Sequence, residues 1–161
     1  MDAVNEITIG MADLKVGKAP QVLSTILGSC IGLCLYSPRH QTGGLLHLMM
    51  PFAGESVHQL NYKKAKYADT GVAELIHVLK KTCGVATPEI VAKMFGGAKV
   101  LKNVERNIGG ENAEVVRSLL KEHGIVLKAV KVGGENGYRI KFHLDTGKVT
   151  CQIFGGQPEE F

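Results

Sequence analysis

The chain has 161 residues, 45% hydrophobic and 21% charged, with no Trp and 20 scattered Gly. That composition describes a single globular domain over residues 1–161 with a core that needs no disulfide or metal staple, and it excludes collagen, coiled coil and disordered tail. Nineteen Lys and Arg against fifteen Asp and Glu give a formal charge of +4, carried in short pairs such as Lys63-Lys64 and Lys80-Lys81, which is no nucleic-acid footprint.

Residues 1–6 have neither the basic start nor the apolar core of a leader peptide. The longest apolar runs, such as 45–52, fall far short of a membrane span. The expectation is a cytoplasmic protein whose Cys30, Cys34, Cys83 and Cys151 are reduced thiols.

In chain order, residues 7–9 read as a short strand and 20–27 as a second, ending at Gly28-Ser29-Cys30. The apolar runs 31–36 and 45–50 flank a Pro- and Gly-punctuated segment, 37–43, and predict a β-hairpin. Residues 51–61 read as an irregular loop. From 62 to 83 the period changes: Ala65, Ala68, Val72, Leu75, Ile76 and Leu79 share one helical face, with Gly84 as the stop. A strand at 90–95 leads into Gly96-Gly97, and 112–123 reads as a second helix ending at Gly124. Alternation along 138–144 and 149–153, around Asp145-Thr146-Gly147, predicts a closing hairpin. Grouped strands with two interposed helices predict an α+β fold with mixed or antiparallel sheet in place of a regular βαβ winding.

The segment Leu27-Gly28-Ser29-Cys30, followed by the hairpin that carries His47, is where chemistry is expected. A thiol needs a neighbouring base, normally His, and donors for the oxyanion formed on attack. Gly28 allows close backbone approach, and the amides around Ser29 and Cys30 are candidate oxyanion donors. If the hairpin pairs residues whose numbers sum to about 79, Cys30 and His47 are diagonal neighbours on one face, about 7–8 Å apart at the backbone. A one-residue slip would separate them. An activated Cys30 predicts an apparent thiol pKa below that of free cysteine. The bland alternative is a buried structural thiol beside a satisfied His. His58, in the irregular loop, is the rival base. A zinc site from Cys30, Cys34, His40 and His47 fits no standard ligand spacing. The paired glycines 96–97, 109–110 and 133–134 lack a phosphate-loop pattern and read as turns.

The segments 27–35 (Leu-Gly-Ser-Cys-Ile-Gly-Leu-Cys-Leu) and 44–51 (Gly-Leu-Leu-His-Leu-Met-Met-Pro) closely resemble the chemoreceptor glutamine deamidases of the CheD family. Lys66-Tyr67-Ala68-Asp69, Phe95-Gly96-Gly97-Ala98, Asn107-Ile108-Gly109 and Val132-Gly133-Gly134 continue the resemblance over nearly the whole chain. Gly110-Glu111-Asn112 departs from it, where a basic residue is expected before the Asn. The resemblance implies Cys30 as nucleophile and His47 as base. A third residue, Thr in the family, falls on Ser24, with Thr25 immediately after it, and either hydroxyl is open to the role. It further implies a β-sandwich-like core with flanking helices similar to the catalytic domain of cytotoxic necrotizing factor toxins, and conversion of receptor glutamines to glutamates. A CheC-type phosphatase is implied as a binding partner. No metal or organic cofactor, nucleic acid or membrane insertion is expected.

The expectation from residues and resemblance together is a protein-glutamine deamidase with Cys30, His47 and Ser24 or Thr25 at its centre. Gly28 and Ser29 support the oxyanion, and Phe52 is an apolar contact in the substrate groove. Lys63, Lys64 and Lys66 would favour an acidic helix face. The rivals are a transglutaminase or cysteine protease on the same constellation, and a non-catalytic binding regulator of a phosphatase.

Overall fold

Strand β4 (Ile31–Ser37) is buried along its whole length. An apolar run without polar alternation requires this, because both of its faces must be covered. In the computed structural model, which describes residues 5–161, β4 lies at the centre of a five-stranded sheet with a second sheet on one face and two helices on the other. Part of the leader reading, residues 1–4, lies outside the described residues.

The other strands are β1 (Glu6–Thr8), β2 (Asp13–Lys18), β3 (Val22–Leu27), β5 (Thr42–Leu48), β6 (Val91–Gly96), β7 (Val126–Val132), β8 (Tyr138–His143), β9 (Val149–Ile153) and β10 (Glu159–Glu160). The helices are α1 (Ala68–Cys83) and α2 (Ile108–Glu122). One sheet has the order β1-β3-β8-β9-β10, the other β2-β5-β4-β6-β7. Both are mixed, since β1 pairs β3 and β6 pairs β7 in parallel while their other pairings are antiparallel. The α+β expectation holds, with one parallel βαβ unit, β6-α2-β7, inside it. No helix of the described residues is long and apolar enough to cross a membrane.

Side chains on alternate positions of β4 and β5 divide between two cores. Ile31, Leu33, Leu35, Leu46 and Leu48 meet Val72, Leu75, Ile76 and Leu79 of α1 and Val116 and Leu120 of α2. On the opposite face, Cys30, Cys34, Tyr36 and Leu45 meet Leu23, Leu27, Ile140 and Phe142 of the second sheet.

Two helix starts differ from expectation. Helix α1 begins at Ala68, because Lys64–Lys66 closes a separate 3-10 turn and Tyr67 is extended. Its stop at Gly84 is left-handed, as a glycine C-cap allows. Helix α2 begins at Ile108, so Gly109-Gly110 is its first turn and not a loop. The Asn107 side chain caps it by accepting from Gly110 N at 3.1 Å. A side chain at Gly109 would overlap the Gly97 carbonyl, so two glycines let α2 dock against the end of β6.

Candidate active site

The chain leaves one sheet through β3, turns at Gly28-Ser29-Cys30 and enters the other through β4. The turn is pinned from behind by the segment after β6. Gly97 N donates to the Cys30 carbonyl and Ala98 N to the Gly28 carbonyl, both at 2.9 Å. Gly96 has φ +102, and a side chain there would collide with the Cys30 carbonyl. The amides of Ser29 and Cys30 donate to no acceptor among the described residues. A side chain at Gly28 would meet only Val100, at 3.8 Å.

Strand β5 carries His47 toward the second sheet. In the hairpin Gly32 stands opposite His47 and Ile31 opposite Leu48, which is the register that makes Cys30 and His47 diagonal neighbours on one face. His47 is only 2% exposed. Its Nδ1 lies 2.8 Å from Thr25 Oγ1 on β3, and the same hydroxyl donates to the Ile9 carbonyl at 2.7 Å. A hydroxyl has one proton, and a carbonyl can only accept it. Nδ1 therefore carries the imidazole proton and donates to Thr25, while Nε2 presents a lone pair. Nε2 is buried and has no hydrogen-bond partner.

Thr25 points between the sheets, as the alternation of β3 dictates. Ser24, one residue earlier, points to the other side and lies 3.3 Å from Thr8 Oγ1. The structure thus brings Thr25 to His47 and leaves Ser24 outside that contact. His58 is exposed.

Burial pushes the Cys30 thiol pKa up, contrary to the expected depression, and pushes His47 down to about 4. Both effects have one cause, since the water-poor gap between the sheets disfavours either charged form. The resting pair is a neutral thiol and a neutral imidazole. Cys34 faces the same inter-sheet core and is fully enclosed, and Cys151 is pushed up to about 11 by burial and Glu159. Among the described residues no cluster of His, Cys, Asp and Glu could hold a metal ion.

Cys30 opens onto a groove lined by Ser29, Met50, Phe52, Lys66, Tyr67 and Ile108. Phe52 is 62% exposed at its rim. Two contributors are not among the site residues expected from the sequence, although Asn112 falls within the stretch compared with the family. Ile9 acts through its backbone carbonyl, and Asn112, wholly buried in α2, donates to Ser29 O at 3.4 Å and Met49 O at 3.0 Å.

The site is a buried imidazole of fixed tautomer and, diagonal to it across the β4–β5 hairpin, a thiol that opens on a groove, carried on an α+β scaffold. The family model described as CheD chemotactic sensory transduction matches residues 49–153. A protein of Desulforamulus reducens, named probable chemoreceptor glutamine deamidase CheD, is 38% identical over 93% of this chain and 92% of its own length. The chemoreceptor glutamine deamidase CheD of Thermotoga maritima is 36% identical, with 92% of each chain covered. This chain belongs to the CheD family. Among solved structures, the Bacillus licheniformis hypothetical protein YfiH superposes with a TM-score of 0.50 at 15% identity, over 74% of this chain and 49% of that one, a likeness of fold alone.

Proposed function

We propose that this chain deamidates glutamine side chains of methyl-accepting chemotaxis receptors to glutamate, through a thioester on Cys30. The observation that carries the chemistry is the Ile9–Thr25–His47 chain of hydrogen bonds, which leaves Nε2 free to accept a proton. Family membership directs that chemistry to a receptor glutamine.

Cys30 Sγ attacks the amide carbon while His47 Nε2 takes the thiol proton, so a carbon–sulfur bond forms and the carbonyl π pair moves to oxygen. The free amides of Ser29 and Cys30 meet that oxyanion. On collapse the carbon–nitrogen bond breaks, and the imidazolium returns its proton to the departing ammonia. A water then attacks the thioester, His47 accepts its proton, and the carboxylate leaves as Cys30 is reprotonated. Thr25 orients the imidazole and stabilises its charged form, and it fills the third role in preference to Ser24. Free thiolate is not needed, because proton transfer accompanies attack.

The same reading carries a cytoplasmic location, expected from the sequence pattern, and a core like that of the necrotizing factor catalytic domain and a CheC-type phosphatase as a binding partner, both of which rest on the sequence resemblance. The test is mass spectrometry of a purified receptor fragment incubated with wild-type protein and with Cys30→Ala. Amide-to-acid conversion at particular glutamines, by wild type only, is expected. Peptide cleavage would assign a protease, amine incorporation a transglutaminase, and an unchanged receptor that still binds would assign a regulator.

A further inference from the structure

Asn112 is a wholly buried side chain that hydrogen-bonds to both halves of the site. It sits in α2 four residues after Ile108, so both lie on one helix face, Ile108 lining the groove and Asn112 wholly enclosed behind it. Its Nδ2 donates to the carbonyl of Ser29, the residue before the nucleophile, and to the carbonyl of Met49, two residues after His47. Both N–H groups are thereby used on main-chain oxygens. Flipping the amide would set its oxygen against two carbonyls, so the orientation is fixed by its partners.

The remaining atom, Oδ1, is buried without a donor. An acceptor left in that state is destabilising, and an apolar residue of similar shape would avoid it. A residue retained only to fill the core would not carry this liability. We infer that Asn112 is a positioning residue: its amide ties the turn bearing Cys30 to the strand bearing His47 and sets their approach. The link matters because Thr25 fixes the imidazole from its Nδ1 side only, and His47 Nε2, the atom that would face the nucleophile, has no hydrogen-bond partner. Misplacement by about 1 Å of a reacting pair costs on the order of 10²-fold in rate.

The inference rests on the proposed thiol–imidazole pair, and its test reads that pair without the receptor. Asn112→Leu removes both N–H donors and the orphan oxygen together. Expected are a retained thermal transition, a kcat on receptor fragment lowered by about 10–100-fold with KM nearly unchanged, and slower iodoacetamide labelling of Cys30. In a His47→Ala background, Asn112→Leu should slow labelling no further, because it acts through His47; a merely structural role would slow both backgrounds alike. Wild-type kcat and labelling in a folded Asn112→Leu protein, or losses that simply add in the double variant, would overturn the inference. If Asn112→Leu does not fold, Asn112→Ala carries the same comparison per folded molecule, and failure of both to fold assigns Asn112 to structure alone. A wild-type protein that labels fast at Cys30 yet leaves receptor glutamines intact would sink the proposed substrate and leave the positioning role standing.

Discussion

Thr25 Oγ1 lies 2.8 Å from His47 Nδ1 and joins two residues on different sheets, β3 and β5. Because the Thr25 proton is committed to Ile9 O, the contact fixes which imidazole nitrogen is protonated. Thr25→Val should therefore lose much of the ~10²–10⁴-fold that a positioned base contributes, and leaves two buried polar groups short of a partner at about 1–3 kcal/mol each. Thr25→Ser should keep most of the activity and Ser24→Ala nearly all. Steady-state kinetics on a receptor fragment decide it, and a stronger loss in Ser24→Ala than in Thr25→Val would reverse the assignment.

Burial of His47 gives a pH dependence with a definite sign. Its pKa is about 4 folded against an ordinary 6.5, so between these values the unfolded chain binds more protons. Stability should rise with pH across that window and fall as pH drops from about 6.5 toward 4. The contribution is at most about 3 kcal/mol for a shift of this size. Denaturant titrations should show a flatter profile for His47→Gln over the same range. The acid limb of kcat/KM belongs near pH 4, since the base stays neutral to that point; a limb near 6.5 would mean that the imidazole is hydrated and exposed.

The β4–β5 hairpin was legible in the sequence from its two apolar runs and the turn between them, but its register was only a condition there, because strands buried on both faces carry no alternation to fix it; the pairing of Gly32 with His47 supplies it. Strands β2 and β7 were not legible, for a shared reason. They are the two edges of their sheet, half-buried along their length, and Lys15, Lys18, Lys128 and Lys131 blur any apolar face. The start of α2 was hidden by Gly109-Gly110, which read as a turn until the contact of Gly109 with Gly97 supplied a packing reason. The choice between Ser24 and Thr25 turned on strand parity, set by the pairing of Thr25 with Ile140 across β8, a partner more than a hundred residues away. No local pattern holds that information. Ile9 and Asn112 lay beyond reach because one acts through its backbone and the other through contacts to main-chain oxygens.

The four thiols should differ sharply toward an alkylating reagent. Cys30 opens on the groove and, in the proposed mechanism, gives its proton to His47, whereas Cys34 is enclosed between the sheets and Cys151 is 2% exposed. Cys83, at the end of α1, is half-buried and should react as an ordinary hindered thiol. Labelling of Cys30 should be fastest and should slow in His47→Ala. Cys34→Ala should retain activity at a packing penalty of about 1 kcal/mol. Peptide mapping after brief exposure to iodoacetamide reads all four sites at once, and equal rates would favour a structural thiol.

The groove should select for a folded helix over a free amino acid. Cys30 is recessed, while Phe52 projects at the rim and Lys66 lines the wall, its Nζ 5.7 Å from the Tyr67 ring centre. In the proposed reaction a single glutamine side chain enters while its helix stays outside against Phe52. Charge around the rim is unequal: Lys64 is paired with Glu74 at 3.4 Å, whereas Lys63 and Lys66 form no ion pair among the described residues. Attraction of an acidic helix face should therefore fall on the latter two. Phe52→Ala should raise KM for a receptor fragment with kcat little changed, because an apolar contact at the rim binds ground state and transition state alike. Lys63→Gln with Lys66→Gln should weaken kcat/KM at low ionic strength and matter little near 1 M salt, where the Debye length is about 3 Å. Free glutamine and short unstructured peptides should be far poorer substrates than the folded receptor. Equal kcat/KM for free glutamine and folded receptor would remove any role for the rim and make the protein a small-molecule amidase.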